Sequence, residues 1–173
     1  MAAGRNRHQD DLVKIYDKLC YRYSRYEVWQ DMVWMFAISI SNSLDQAHYA
    51  AREERYLATA KKYGAEELRL MAEMFAAITD GMEQQPDCDF LGELYMALGL
   101  GNSKAGQFFT PYNLCEATAE MTIGKDSLAD EIEQKGYITV NDCACGAGAM
   151  LVAAASALKK RGINYQQRAF FVG

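Results

Sequence analysis

A glycine-rich segment near the carboxyl end of the chain holds the residues whose spacing is most suited to ligand chemistry. It reads Asp-Cys-Ala-Cys-Gly-Ala-Gly-Ala-Met over residues 142–150. Glycines let the backbone approach a ligand closely, and the helix expected after them offers unpaired N–H groups to an anion. Asp142 adds a carboxylate that suits a ligand with an amino group, such as the methionine end of S-adenosylmethionine. The alternative is an ordinary β-to-α turn.

Position 151 separates two classes of ligand. The dinucleotide fingerprint needs a third glycine three residues after Gly148. Leu151 occupies that position. The segment therefore disfavours NAD and FAD, and a nucleotide-binding oxidoreductase is the weaker hypothesis.

A second segment, Gly-Gln-Phe-Phe-Thr-Pro over residues 106–111, places two adjacent aromatic residues in a loop before a helix. Aromatic rings in such a loop can cover an apolar or π-face ligand, and Thr110 supplies a hydroxyl at the helix start. Pro111 suits the first position of the helix. The alternative is a hydrophobic staple that closes this helix.

The composition excludes several functional classes. The five cysteines are scattered without a C-x-x-C pair and the chain has only two histidines, so no metal site or disulfide framework is predicted. The longest apolar run, residues 32–38, is well short of the ~18–20 residues that a membrane span needs. The amino terminus has no signal-peptide core. We therefore expect a cytoplasmic protein with reduced thiols and no membrane partner.

The charge of the chain bears on nucleic-acid binding. The formal net charge is −5 and the sequence pI is about 5.1. Neither residues 1–105 nor residues 106–173 carry an excess of Lys and Arg over Asp and Glu. A protein that binds DNA by itself normally has a basic face. Any main DNA-contacting surface should therefore lie elsewhere.

The periodicity predicts helices for residues 10–98. One apolar stripe recurs at steps of four, three, four and four residues, and a later helix follows Gly64. Four residues of these stripes are predicted to form buried core: Trp29, Phe36, Ile40 and Phe75.

The pattern changes after residue 98. Residues 137–142 and 168–172 are predicted strands, and an alanine-rich helix between them should end at Gly162. A β-turn-α-β order with a parallel pair is the first unit of a doubly wound sheet. The predicted fold is mainly α. It has a helical domain over residues 1–98 and the start of an α/β, Rossmann-like domain over residues 99–173.

Taken together, the two loops resemble the cofactor signature of N6-adenine DNA methyltransferases, specifically the modification subunits of type I restriction-modification systems. That family has G-[EQ]-[FY]-[FY]-T-P, a helix, and then a strand ending in D-P-x-x-G-[ST]-G before an Ala-rich helix. The segment Asp-Phe-Leu-Gly-Glu-Leu-Tyr at residues 89–95 is similar to the helix that leads into the family's first loop. The family also places an all-α domain before its methyltransferase domain.

The resemblance implies a role for each loop in holding S-adenosylmethionine. The cofactor-binding residues carried over from the family are Gly106, Gln107, Phe108, Phe109, Thr110, Pro111, Asp142, Gly146, Ala147 and Gly148. Two positions depart from the family pattern. Cys143 stands where proline is usual, and Ala147 replaces Ser or Thr, which removes a hydroxyl contact.

The resemblance also implies what this chain lacks. The family's ribose-binding acid follows its second strand, and its N-P-P-[YF] motif holds the target adenine. Neither is present in the 173 residues, so no catalytic residue is assigned. We expect no methylation by this chain alone and only weak cofactor binding. Double-stranded DNA would be reached through other regions or a specificity subunit, and a restriction subunit is a further partner. A dimer could form through an exposed sheet edge.

The leading hypothesis is thus part of an adenine-specific DNA methyltransferase. The alternative is a helical interaction module that docks a specificity or other partner subunit and binds no nucleotide.

Overall fold

The computed structural model describes residues 7–101, 109–123 and 127–173. These residues form two compact units. The first contains residues 1–84 and 97–100, and the second contains residues 85–96 and 101–173. The sequence placed a single boundary after residue 98. The structure differs because residues 85–96 group with the second unit.

The first unit is built from helices, as predicted. Helix α1 (Arg7–Leu19) packs on α4 (Ala65–Gln84), and α2 (Arg25–Leu44) packs on α3 (Tyr49–Ala60). None of the helices in the described part of the chain combines the length and apolarity that crossing a bilayer requires.

The predicted core of the first unit was wrong in its choice of residues. Ile40 is 52% exposed, and Trp29, Phe36 and Phe75 are only partly buried. Phe36 and Phe75 still stack on each other, with ring centroids 4.4 Å apart. The residues of α2 that are buried are Val28, Asp31, Met32, Met35 and Ile38.

The reason lies in the composition of α2, which is apolar on nearly every side. Periodicity alone then cannot say which side faces inward. A polar contact made by one face of α2 determines which side of the helix faces inward. The Asp31 carboxylate accepts hydrogen bonds from Lys62 Nζ and from the Tyr63 hydroxyl, both at 2.9 Å. These bonds tie the Asp31 side of α2 to the end of α3.

The second unit carries all the described β-structure. Its elements in chain order are α5 (Phe90–Ala97), α6 (Tyr112–Ile123), α7 (Ser127–Lys135), β1 (Ile138–Asn141), α8 (Ala149–Lys160), α9 (Tyr165–Arg168) and β2 (Ala169–Val172). The last residue of α5 groups with the first unit. Strands β1 and β2 are parallel, with Ile138 opposite Ala169 and Asn141 opposite Val172. This confirms the predicted parallel pair, while the short helix α9 was not predicted.

The core of the second unit is made mainly of small side chains. Helix α6 packs closely on α8, and the side chains between them are short. Val140 of β1 and Phe171 of β2 pack against the same cluster. The buried members of that cluster are Cys115, Ala119, Ile123, Ile138, Ala149, Ala153, Ala154, Ala157 and Leu158.

Candidate functional site

The glycine loop joins β1 to α8 through a chain of short hydrogen bonds. The Asp142 N–H donates to the Val172 carbonyl at 2.8 Å, so β2 holds the residue that follows β1. The Asp142 carboxylate then accepts the Ala144 N–H at 3.0 Å, which forms an Asx-type turn. The Gly148 N–H donates to the Cys145 carbonyl at 2.8 Å. The loop is therefore ordered by its own backbone and by one acidic side chain.

Two glycines of this loop adopt a conformation that other residues avoid. Gly146 has φ +56° and Gly148 has φ +86°, both in the left-handed region. A Cβ added at Gly148 would meet no atom within 4 Å, apart from its immediate chain neighbours. Gly148 is thus required for backbone conformation, and the space beside it is open to a ligand.

The amino terminus of α8 begins immediately after Gly148. Because its N-cap residue is glycine, no side-chain hydrogen bond covers the first N–H groups of the helix. The first bond back to the loop comes from the Val152 N–H to the Gly148 carbonyl, at 3.0 Å. Lys159 and Lys160 occupy the last turn, where they complement the helix dipole. The arrangement suits an anionic or electron-rich group at the start of α8.

The end of β2 lies against the same loop. A Cβ added at Gly173 would come within 2.6 Å of the Cys145 Sγ and 3.1 Å of a methyl group of Leu151. The backbone after β2 therefore approaches the loop more closely than a residue with a side chain would allow. The carboxyl ends of both strands border the glycine loop.

A cavity of about 410 Å³ opens on one side of β1. Its wall follows β1 and ends at Asn141 and Asp142, so it reaches the acidic end of the glycine loop. Apolar groups such as Ile138, Met150 and Leu151 line it together with polar residues of α6 and α7. Those polar residues, which sequence reasoning missed, are Thr118, Thr122 and Glu131. Helical spacing of Thr118 and Thr122 was the only sequence signal for them.

The second predicted loop lies partly outside the described residues. Gly106, Gln107 and Phe108 belong to the part that the structure does not describe. Phe109 is half-buried, and its ring packs against Tyr95 of α5, with centroids 5.2 Å apart. Thr110 is exposed.

Pro111 stands immediately before α6, one residue ahead of the first helical position that was predicted for it. Its carbonyl accepts the N–H groups of Leu114 at 2.9 Å and Cys115 at 3.2 Å, and so begins the helix. The distance between Phe109 and the glycine loop stays a prediction.

Tyr112, the first residue of α6, has a hydroxyl that the sequence did not single out. Its oxygen is buried, and no hydrogen-bond partner occurs for it among the described residues. Removal from water raises the pKa of this phenol to about 12, and the nearby Glu116 carboxylate adds to the shift. The group is therefore a neutral hydrogen-bond donor at ordinary pH.

Ion pairs lock α6 against α8 on the outside of the small-residue core. Arg161 Nη2 lies 2.9 Å from a Glu120 carboxylate oxygen, and Lys160 Nζ lies 3.4 Å from Glu116 Oε1. Exposed pairs of this kind contribute little energy individually. Together with the alanine packing they fix the helix whose amino terminus carries the glycine loop.

Most of the second unit is similar to a known protein family. Residues 88–173 match the model of the family described as N-6 DNA Methylase. A search of curated proteins and a search of solved structures each returned no match. The matched segment contains the glycine loop, α6, α8 and both strands. The match supports assignment of residues 88–173 to an N6 DNA methyltransferase family.

Proposed function

We propose that this chain is part of an adenine-N6 DNA methyltransferase of the type I modification-subunit kind, and that its second unit holds S-adenosylmethionine. The observation that carries the proposal is the parallel β1–glycine loop–α8–β2 unit within the segment that matches the family. Members of this family use S-adenosylmethionine, which supplies an electrophilic methyl group.

The residues of the glycine loop fit this cofactor. Asp142 places a carboxylate at the carboxyl end of β1, where it can accept a hydrogen bond from the ammonium group of the methionine end. Gly146 and Gly148 let the backbone approach the ligand, with Ala147 between them. The open N–H groups at the start of α8 can donate to the methionine carboxylate.

The second loop would cover the other part of the cofactor. We propose that Gly106, Gln107, Phe108, Phe109, Thr110 and Pro111 line it. Phe109 packs on Tyr95, and this contact supports an aromatic wall anchored to α5. Ring faces of this kind suit a purine.

The sheet supports a doubly wound fold in the whole domain. Its outer face carries Tyr137, Phe170 and Val172, which are 44%, 62% and 49% exposed. Parallel strands with apolar residues on both faces are typical of a sheet covered by helices on both sides. We therefore propose that further elements of the domain cover this face.

Catalysis and recognition require residues that this sequence does not contain. The 173 residues include no N-P-P-[YF] sequence. A target adenine must be flipped out and its amino group held before methylation. We propose that this step, and contact with double-stranded DNA, depend on other regions or on a specificity subunit in the cytoplasm. A restriction subunit is a further proposed partner.

The first test is ligand binding by the 173-residue chain. Saturation-transfer NMR, which detects weak binding, should show contact with S-adenosylhomocysteine and none with NAD. The reverse result would sink the proposed cofactor. Incubation with tritiated S-adenosylmethionine and adenine-containing duplex should give no labelled DNA, since no adenine-holding motif is present.

Two matched glycine variants sharpen the test. Gly148 and Gly162 flank α8, have φ +86° and +74°, and are both open at the Cβ position. Replacement by alanine should therefore cost each about 1–2 kcal/mol of conformational energy. Only Gly148→Ala should also weaken S-adenosylhomocysteine binding, by about tenfold or more. Equal binding by the two variants would contradict a cofactor site at the glycine loop.

Asp142→Asn tests the charge at the end of β1. Asparagine keeps the side-chain oxygen that accepts the Ala144 N–H, so the turn should persist. Loss of the charge-assisted bond should weaken binding of S-adenosylhomocysteine about tenfold or more. Glu133→Gln, which removes the charge of an exposed α7 residue that does not line the cavity, is the control and should bind like the native chain.

A further inference from the structure

Helices α2 and α3 of the first unit leave an open cleft of about 270 Å³ between them. Pockets that enclose a small-molecule ligand usually measure about 300–1,000 Å³. This one is smaller and lies at the surface, so it suits a single side chain that protrudes from another molecule. We call it the α2–α3 cleft; its lining includes Trp34, Ala37, Ile38, Ser41, Ala51 and Arg55.

The lining of the α2–α3 cleft contains a cation that is held in place but is not neutralised. The guanidinium carbon of Arg55 lies 3.7 Å from the ring centroid of Trp34, so the charge stacks on the indole face. Stacking uses the flat face of the guanidinium and leaves its N–H groups available, because these point outward in the plane. In the described part of the chain they make no hydrogen bond, and no acidic side chain pairs with Arg55.

The acidic residues near Arg55 in the sequence are engaged elsewhere or point away from it. Asp45 pairs with Arg52 at 2.9 Å, and Glu53 accepts a hydrogen bond from a side chain of α2 at 3.1 Å. Glu54 directly precedes Arg55, and consecutive residues of a helix do not face each other. Arg55 therefore presents its charge beside an apolar surface, with all of its donors ready for an external acceptor.

A carboxylate complements this arrangement better than a phosphodiester does. A guanidinium can donate two parallel N–H bonds to one carboxylate. Nucleic-acid backbones, by contrast, draw their affinity from several cations acting together. The other cation of the lining, Arg52, is already paired with Asp45. The first 105 residues also carry more acidic than basic side chains, which opposes the approach of a polyanion.

The surface beside the α2–α3 cleft is apolar as well, which favours a protein over a free small molecule. Ile40 and Leu44 are 52% and 81% exposed. They follow Ala37 and Ser41 of the lining at a spacing of three residues, which places them on neighbouring positions of α2. A partner protein can cover these side chains together with the cleft, whereas a ligand confined to the cleft cannot. Tryptophan and arginine are also the residue types enriched at binding hot spots.

We propose that the α2–α3 cleft docks a partner protein, which inserts an apolar side chain and places a neighbouring Asp or Glu on the Arg55 guanidinium. Stacking on Trp34 fixes the guanidinium before the partner arrives, so less side-chain freedom is lost on binding. The inference rests on the first unit alone and does not depend on the cofactor assigned to the second.

Selection from a library of random heptapeptides displayed on phage tests the chemistry of the partner. The intact native chain is immobilised, and an excess of soluble Arg55→Gln chain removes peptides that bind other surfaces. Enriched peptides should carry Asp or Glu beside Leu, Ile, Met or Phe. Absence of enrichment would overturn the proposal, as would enriched peptides without an acidic residue.

Binding of the most enriched peptide then tests the site. The indole N–H resonance of Trp34, and not that of Trp29, should shift in NMR titration. Replacing the acidic residue of the peptide by its amide should raise the Kd about tenfold or more on the native chain, and by less than about twofold on Arg55→Gln. Arg22→Gln is the matched control, since Arg22 is an exposed arginine outside the α2–α3 cleft, and it should retain the tenfold effect.

Three results of these titrations would overturn the proposal. The first is an equal effect of the peptide charge on the native and Arg55→Gln chains, provided that far-UV circular dichroism shows the same helix content in both. The second is displacement of the peptide by duplex DNA with a shift of the Trp34 resonance, which would assign the α2–α3 cleft to nucleic acid. The third is binding of free 4-methylpentanoate as tight as that of the peptide, which would assign it to a small carboxylate.

Discussion

The two units of this chain build their interiors from different kinds of side chain. The fully buried residues of the first unit are large, and include Leu12, Tyr16, Met32 and Met74. The interior of the second unit is dominated by alanines of α6 and α8. Large side chains bury more apolar area per residue, whereas small ones let two helices approach closely. The first interior is thus suited to stability, and the second to placing the start of α8 accurately.

The comparison predicts that truncation is most costly in the first unit. Met32 is 0% exposed, so Met32→Ala should lower the free energy of unfolding by about 2–5 kcal/mol. Met82→Ala is the control, since Met82 of α4 lies in the same unit, is 45% exposed and should change it little. Urea unfolding followed by tryptophan fluorescence measures the effect, because Trp29 and Trp34 both lie in the first unit. An unchanged urea midpoint for Met32→Ala would contradict this account.

Two tyrosines provide a second contrast between the units. The Tyr63 hydroxyl donates to the Asp31 carboxylate at 2.9 Å, so Tyr63→Phe should cost about 1.5–3 kcal/mol. Tyr112→Phe should leave the stability unchanged or raise it, since it removes a buried hydroxyl for which no partner occurs among the described residues. Urea unfolding of both variants measures the difference. Equal losses would show that Tyr112 has a partner of similar strength.

Enlarging a residue in the second unit should matter through geometry as well as energy. Ala153 is 2% exposed, and Ala153→Leu should cost about 1–3 kcal/mol through overpacking. Because the larger side chain must displace α8, amide hydrogen exchange should accelerate in the glycine loop. Val152→Leu, at a position 39% exposed on the same helix, should leave exchange unchanged. Unchanged amide exchange in the glycine loop of Ala153→Leu would show that the order of this loop does not depend on the alanine packing of α8.

The same contrast explains how much of the fold the sequence could predict. The helices of the first unit and the parallel strands of the second follow from periodicity, glycine positions and β-branched residues. The inward face of α2 did not follow, because apolar residues occupy both of its sides. The inward face is fixed by hydrogen bonds from Lys62 and Tyr63, which are distant in sequence, to the Asp31 carboxylate. A polar contact of this kind leaves no periodic signal.

The candidate site likewise has one part that the sequence could predict and one that it could not. The glycine loop was identifiable because φ values such as +86° at Gly148 require a particular residue type. The cavity beside β1 was not, since Thr118, Thr122 and Glu131 reach it only through the packing of α6 and α7. The cofactor-binding role of both loops stays a prediction, and Gly106, Gln107 and Phe108 also lie outside the described residues.

The smallest predicted effect concerns pH and the connection between α2 and α3. Asp45 caps the end of α2, and its carboxylate accepts hydrogen bonds from Arg52 at 2.9 Å and from the Ala47 N–H at 2.8 Å. The Arg52 bond is the main cause that lowers the pKa of Asp45 from 3.8 to about 2, and the Ala47 and His48 bonds add to it. Both carboxyl groups with a lowered pKa in the described residues, Asp45 and Glu66, lie in the first unit.

A carboxyl group whose pKa is lower in the folded state stabilises the fold when it is ionised. The contribution of Asp45 should therefore be complete above its unfolded pKa of 3.8 and should disappear as the pH falls through about 2. Asp45→Asn removes the titrating group and keeps one acceptor oxygen, which can still accept the Ala47 N–H. The difference in urea midpoint between the native chain and this variant should shrink as the pH falls through that range. The effect should be small because the pair is exposed and water screens it. A difference that stays constant or grows toward low pH would show that the Arg52 bond does not stabilise the ionised form of Asp45.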